Sequence, residues 1–216
     1  LPQRIIFSGI EYRDPTLRFC GTSMRGVAED FHPMRGLILN APVDYAMNNS
    51  VLHSAISVGV VCPDEHNQKF AQFISGLNRQ SQAKHNTDYL ISFPGFYRAF
   101  KTGLDLPDPN SSKWKQITAS SEWDVHKAAV EFGDSIIRKI DQLSANSIDV
   151  ILIYIPEEYE VFTSYTDGTV NYDLHDYIKA YAAQKQVATQ FVREKTIESD
   201  LHCQIMWALS LALYVK

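Results

Sequence analysis

The sequence predicts an α/β fold: a parallel sheet with helices on its faces, preceded by a strand-and-turn extension. Three features predict it. Asp149-Val150-Ile151-Leu152-Ile153-Tyr154-Ile155 is apolar on both faces from Val150 on, as the central strand of a parallel sheet must be, because helices cover both of its faces. The stretch from Trp123 to Leu143 sets Val125, Ala128, Ala129, Phe132, Ile136, Ile137 and Ile140 on one helical face. Short β-branched runs then alternate with helical patterns through the second half, the order that builds parallel strands joined by crossover helices.

Taken in order, Arg4 to Ser8 reads as a first strand. Residues 9–50 are rich in Gly, Pro, Asp and Asn and have little periodicity, so strands and turns are expected there. Ser57 to Cys62 is a strand closed by Pro63-Asp64, and His66 to Leu77 has helical spacing through Phe70, Phe73, Ile74 and Leu77. Leu90 to Phe93 reads as a further strand ahead of Pro94-Gly95, and residues 107–112 as a loop. Ser121 is the expected cap of the long helix. The central strand stops at Pro156-Glu157-Glu158. After it come a loop over residues 165–173, a helix from Leu174 to Ala183, a strand from Val187 to Val192 and an apolar helix from Leu201 to Val215. Two units result: residues 1–50, an extension packing on the core, and residues 51–216, the α/β domain.

Composition narrows the function classes. Of 216 residues, 45% are hydrophobic and 21% charged, so a buried core is expected and disorder is not. The net charge of −5 excludes a general nucleic-acid coater and confines any nucleic-acid contact to a local patch. Cys20, Cys62 and Cys203 are few, odd in number and form no CxxC pair, which fits a reducing, cytoplasmic setting. No apolar run is long enough to span a bilayer, so no membrane partner is expected. The chain opens on Leu1 rather than Met and stops at Lys216 inside an apolar helical pattern, so a piece of a longer protein is expected.

Enzyme signatures are missing. There is no GxGxxG, no GxxxxGK[ST] and no GxSxG, and histidines and cysteines do not fall at metal spacings. The C-terminal part has a sharper pattern. His175 and Lys179 are four apart and share a helix face. Lys179 offers a full charge to a phosphate, and His175 a hydrogen bond or a ring for a base. Gln190 follows eleven residues later in a strand, where its amide and the Phe191 backbone N–H can donate to phosphate oxygens. Lys216 closes the last helix. Together these residues suit a terminal phosphate.

The run His175-Asp176-Tyr177-Ile178-Lys179, then Val187-Ala188-Thr189-Gln190-Phe191-Val192, then Leu211 to Lys216, resembles the middle (MID) domain of Argonaute proteins. His32-Pro33-Met34-Arg35-Gly36-Leu37 with Ala41-Pro42, Arg4-Ile5-Ile6-Phe7 and Phe93-Pro94-Gly95-Phe96 add weaker likeness to short prokaryotic members. The family more commonly has tyrosine at the position of His175.

The resemblance implies a Rossmann-like domain that grips the 5′-phosphorylated end of a guide RNA or DNA, in a prokaryotic defence protein. His175 would meet the first nucleotide. Lys179, Gln190, the Phe191 amide and Lys216 would bind the 5′ phosphate, and residues 165–173 would contact the first base. It also implies a PIWI domain after residue 216, which would hold the nuclease carboxylates, so the chain itself is not expected to be an enzyme. A Mg2+ ion at the 5′ phosphate is implied where the PIWI carboxy terminus is present, and a separate effector subunit is a further implied partner.

Beyond Gln190, Arg193 and Lys195 suit either the guide backbone or an exposed turn. The acidic turn at Glu157, Glu158 and Glu160 is expected to face away from nucleic acid or to meet a protein. Two other readings stay open: an α/β enzyme acting on a small phosphorylated substrate through His175 and Lys179, and a protein-interaction module using residues 1–115.

Overall fold

The computed structural model describes residues 15–21, 26–43, 55–84, 89–118, 124–168 and 170–215. An antiparallel pair, β1 (Leu17–Cys20) and β2 (Val27–Asp30), leads into α1 (Pro33–Leu39). Then follow β3 (Ala55–Pro63), α2 (Asn67–Ser75), α3 (Phe96–Phe100), β4 (Gly103–Asp105), β5 (Trp114–Ile117) and α4 (Val125–Ser144). The second half contains β6 (Val150–Ile155), a hairpin of β7 (Ser164–Asp167) and β8 (Val170–Asp173), α5 (Leu174–Gln184), β9 (Ala188–Arg193), α6 (Glu194–Ile197) and α7 (His202–Tyr214).

Five strands form one parallel sheet. β6 lies between β3 and β9, and the far edge of β3 pairs with β4 near its start and with β5 near its end. Every residue of β6 is buried, because alternate side chains enter two different layers. On one face Val58, Val60, Cys62, Leu152, Tyr154 and Val192 pack against α2, α3 and α7. On the other, Val61, Ile151, Ile153 and Ile155 pack against Phe132, Ile136 and Ile140 of α4 and Leu174, Ile178 and Ala182 of α5. Among the described residues, no helix is long and apolar enough to cross a membrane.

The segment β1–α1 is held by specific contacts. His32 caps α1 by accepting the Arg35 N–H at 3.3 Å, and Pro33 occupies the first turn, where a missing N–H costs nothing. At Gly36 any Cβ would collide with the Phe19 ring, so glycine is what lets β1 lie against α1. The Lys101 ammonium donates to the carbonyls of Leu37 (3.2 Å), Ile38 (3.0 Å) and Arg98 (2.6 Å), tying the end of α1 to the end of α3. Burial there pulls its pKa below the usual lysine value.

Several expectations need correction. Leu90 to Phe93 is not a sheet strand. Phe93 exchanges one pair of hydrogen bonds with Ser81, at 2.8 and 2.9 Å, as an isolated bridge. Its ring is buried against Trp207, and Pro94 with Gly95 (φ 93°) turns the chain into α3 before a ladder can extend. The outer strands are β4 and β5, three and four residues long, too short to show a period. The cap of α4 is Asp124, which accepts from the His126 and Lys127 N–H groups at 2.9 and 3.4 Å; Ser121 lies outside the described residues. Residues 165–173 are largely the β7–β8 hairpin rather than a loop. The expected strand at Arg4 to Ser8 also lies outside the described residues.

Ile153 is fully buried at the centre of β6. Ile153→Ala is expected to cost about 2–5 kcal/mol, read as a fall in the urea midpoint with little change in slope. A loss below about 1 kcal/mol would contradict its place in the core.

Candidate functional site

The geometry of α5 decides what it presents. Its residues advance by ~100° each. Leu174, Ile178 and Ala182 form the buried stripe against the sheet. One flank is fixed to α4: the Tyr177 hydroxyl donates to Asp134 at 3.2 Å, and the Tyr181 hydroxyl to Asp141 at 2.8 and 2.9 Å. Lys185 closes the same seam, with Nζ 2.9 Å from Asp141. Lys185 and the Tyr181 hydroxyl hold the Asp141 carboxyl below its usual pKa. The helix turn then puts His175 and Lys179 on the opposite flank, above β9. The His175 ring lies 5.3 Å from the Phe191 ring, tilted by 47°. Lys179, one turn further on, is exposed and pairs with no other described residue.

β9 is the edge strand beneath them. The Ala188 N–H reaches back to the Asp149 carbonyl at 3.4 Å, next to β6. Backbone groups alternate in direction along a strand, so the N–H and C=O of Phe191 point to the open edge. The Gln190 side chain leaves the other face of β9, the side of Ala188 and Val192, and bends to the same edge, where its amide donates to the Phe191 carbonyl at 3.0 Å. His175, Phe191 and Gln190 therefore meet at one edge from both sides of the sheet, and Lys179 is exposed one helical turn beyond His175. Lys216 lies outside the described residues; α7, which leads to it, packs on the Gln190 side.

A small cleft opens at the upper end of this edge, lined by Ile155, Thr163, Ser164, Asp173, His175, Phe191 and Arg193. Asp173 caps α5 by accepting the Asp176 N–H at 3.0 Å, and Asp176 lies 3.2 Å from His175 Nδ1. Ligand atoms of Asp173, His175 and Asp176 are within 4.8 Å of one another, all exposed. Two carboxylates and an imidazole are a donor set that a divalent cation accepts.

The acidic turn lies beside the end of β9 and α6. Glu160 takes Arg193 at 2.8 Å, Glu158 takes His66 at 2.6 Å, and the Glu157 N–H donates to Glu194 at 2.8 Å. Lys69 bridges Glu194 and Glu198. Arg193 is thus committed to an ion pair, while Lys195 is exposed. What sequence reading missed is the rotation of α5. Its signal was present: Tyr177 and Tyr181, four apart, oppose Asp134 and Asp141, seven apart on α4.

No protein-family model and no curated protein matches the chain. Solved structures do match. The crystal structure of Aa-Ago with externally bound siRNA aligns with a TM-score of 0.55 at 13% identity, over 95% of this chain and 23% of that one. The structure of Aquifex aeolicus Argonaute aligns with a TM-score of 0.42 at 11% identity, over 74% of this chain and 19% of that one. The first of these defines an Argonaute-like fold along nearly the whole chain, which spans less than a quarter of that protein's length.

The Glu194 carboxyl is held below its usual pKa, first by Lys69 and then by the Glu157 N–H. Its contribution to stability is complete above the unfolded-state value of about 4.3 and is lost as pH falls through the lower folded value. In acid unfolding curves Glu194→Gln is expected to show a shallower loss of stability below about pH 5 than the wild type. Parallel curves for the two proteins would remove Glu194 from the acid response.

Proposed function

We propose that the chain is a MID-type module that anchors the 5′-phosphorylated end of a guide nucleic acid, RNA or DNA, at the open edge of β9. What supports the reading is the meeting there of an imidazole, a side-chain amide and an outward backbone N–H, with Lys179 one helical turn away, exposed and paired with no other described residue. Lys179 supplies the charge and the Phe191 N–H a fixed dipole, and both suit a dianionic phosphate. Gln190 adds a donor once its amide leaves the Phe191 carbonyl. His175, already against an aromatic ring, offers a face or an N–H to the first nucleotide. Lys216 and a following PIWI domain would complete the pocket from the α7 side. The role proposed is binding; cleavage would need carboxylates from elsewhere.

Asp173 and Asp176 bear on the same reading. Two carboxylates beside His175 repel a phosphate. A divalent cation such as Mg2+, held by these groups together with the phosphate, would offset that repulsion. The paired state of Arg193 makes Lys195 the better candidate to follow the guide backbone. The reading agrees with the net charge of −5, since the contact is local.

A second reading has its own observation. Val27, Phe31, Leu39 and Val43 of the N-terminal unit are exposed, which favours a protein-interaction surface for an effector subunit on that unit. Co-purification of a partner that survives Lys179→Ala would support it.

The test is binding of matched 5′-phosphoryl and 5′-hydroxyl oligonucleotides. The wild type is expected to prefer the phosphorylated end. Lys179→Ala is expected to lose about 1.5–3 kcal/mol for that end and little for the hydroxyl end, and Gln190→Ala less. Equal affinity for the two ends in the wild type would sink the proposal.

A further inference from the structure

The hairpin that forms one wall of the cleft is set in place by its contacts with α4. The Leu174 N–H donates to the Thr163 carbonyl at 2.8 Å and closes the base of β7–β8, and both residues line the cleft with His175. Beyond that base the hairpin lies on α4 through stacked rings. Tyr165 and Tyr172 are register partners, 5.0 Å apart and inclined by 20°. Tyr165 in turn lies flat on His126 of α4, at 4.3 Å and 12°.

Tyr172 fits because α4 has glycine opposite it. A Cβ at Gly133 would stand 2.5 Å from the Tyr172 hydroxyl oxygen and 3.4 Å from both Leu174 Cδ1 and Tyr177 Cε1. That hydroxyl donates to the Ala129 carbonyl at 3.3 Å, so the ring end cannot simply swing outward without losing this bond. A glycine in the interior of a 20-residue helix weakens the helix. Here it creates the notch that receives Tyr172, and its neighbours on the same notch are the residue before His175 and the tyrosine that fixes the α5 flank.

We propose that Gly133 and Tyr172 are positioning residues for the 5′-end site: the notch fixes the hairpin and the start of α5, and thereby the place of His175 relative to Phe191. This rests on the 5′-phosphate reading above. Neither residue touches the ligand; they act through His175 and the cleft wall.

Three variants test it: Gly133→Ala, Tyr172→Phe and the double variant. Alanine is the better helix former, so Gly133→Ala favours α4 on its own account. Any loss at the site must then come from the contact. Binding of 5′-phosphoryl and 5′-hydroxyl oligonucleotides is measured for each, with amide hydrogen exchange over residues 164–175 in the free protein. Gly133→Ala is expected to reduce the phosphoryl-over-hydroxyl preference at least fivefold and to speed exchange in the hairpin. Tyr172→Phe removes the clashing oxygen, so the double variant is expected to recover most of the preference. An unchanged preference in Gly133→Ala, in a wild-type background that does discriminate, would overturn the inference; so would a loss that Tyr172→Phe fails to rescue. A wild type without preference overturns the 5′-phosphate reading, and this inference with it. Faster hairpin exchange in that case would leave the docking contact standing as structure alone.

Discussion

Strand β6 is hydrogen-bonded along both edges and covered on both faces, and that double demand organises the rest of the chain. A strand with six consecutive buried residues needs apolar side chains at every position and a helical layer on each side. The requirement sends α4 and α5 to one face and α2, α3 and α7 to the other. Tyr154 has the one polar side-chain group in β6, and its ring still satisfies the rule by stacking on Phe70 at 4.8 Å.

The candidate site is a by-product of how this arrangement ends. A sheet that stops at β9 leaves a row of outward N–H and C=O groups. The helix before β9 must cover its inner face, yet its angle about its own axis is still free. That freedom is removed by the seam to α4, where Tyr177 and Tyr181 meet Asp134 and Asp141. Burial chooses one stripe of α5 and the tyrosines choose one flank. What remains over the open edge is His175 and Lys179. The electrostatics nearby follow the same economy. Arg193 and Lys69 are used to neutralise Glu160, Glu194 and Glu198, and Lys179 is left without a partner among the described residues.

Elements whose period is enforced by burial were readable from the chain. The expected strand 149–155 is Val150–Ile155, the helix 174–183 is Leu174–Gln184, and the strand 187–192 is Ala188–Arg193. Elements held by only a few pairings were not readable. β4 and β5 are short enough that pairing with β3, rather than propensity, makes them strands. Leu90 to Phe93 has strand composition, but the buried Phe93 ring and the Pro94-Gly95 turn give it another task. At the site, His175 and Lys179 were legible as a shared helix face, because four-residue spacing alone guarantees it. That Phe191 meets the His175 ring and that Arg193 is spent on Glu160 depend on strand direction and on charges distant in sequence. No local pattern encodes these.

Everything proposed for the site turns on an anion binding at the edge of β9, between α5 and the strand. Backbone amide NMR during titration with a 5′-phosphorylated dinucleotide tests it most directly, with the 5′-hydroxyl dinucleotide as control. The Phe191 amide and its neighbours around His175 are expected to shift with the phosphorylated ligand and to stay still with the control. Shifts that instead gather around Lys69 and Arg79, on the α2–α7 side of the sheet, would contradict it.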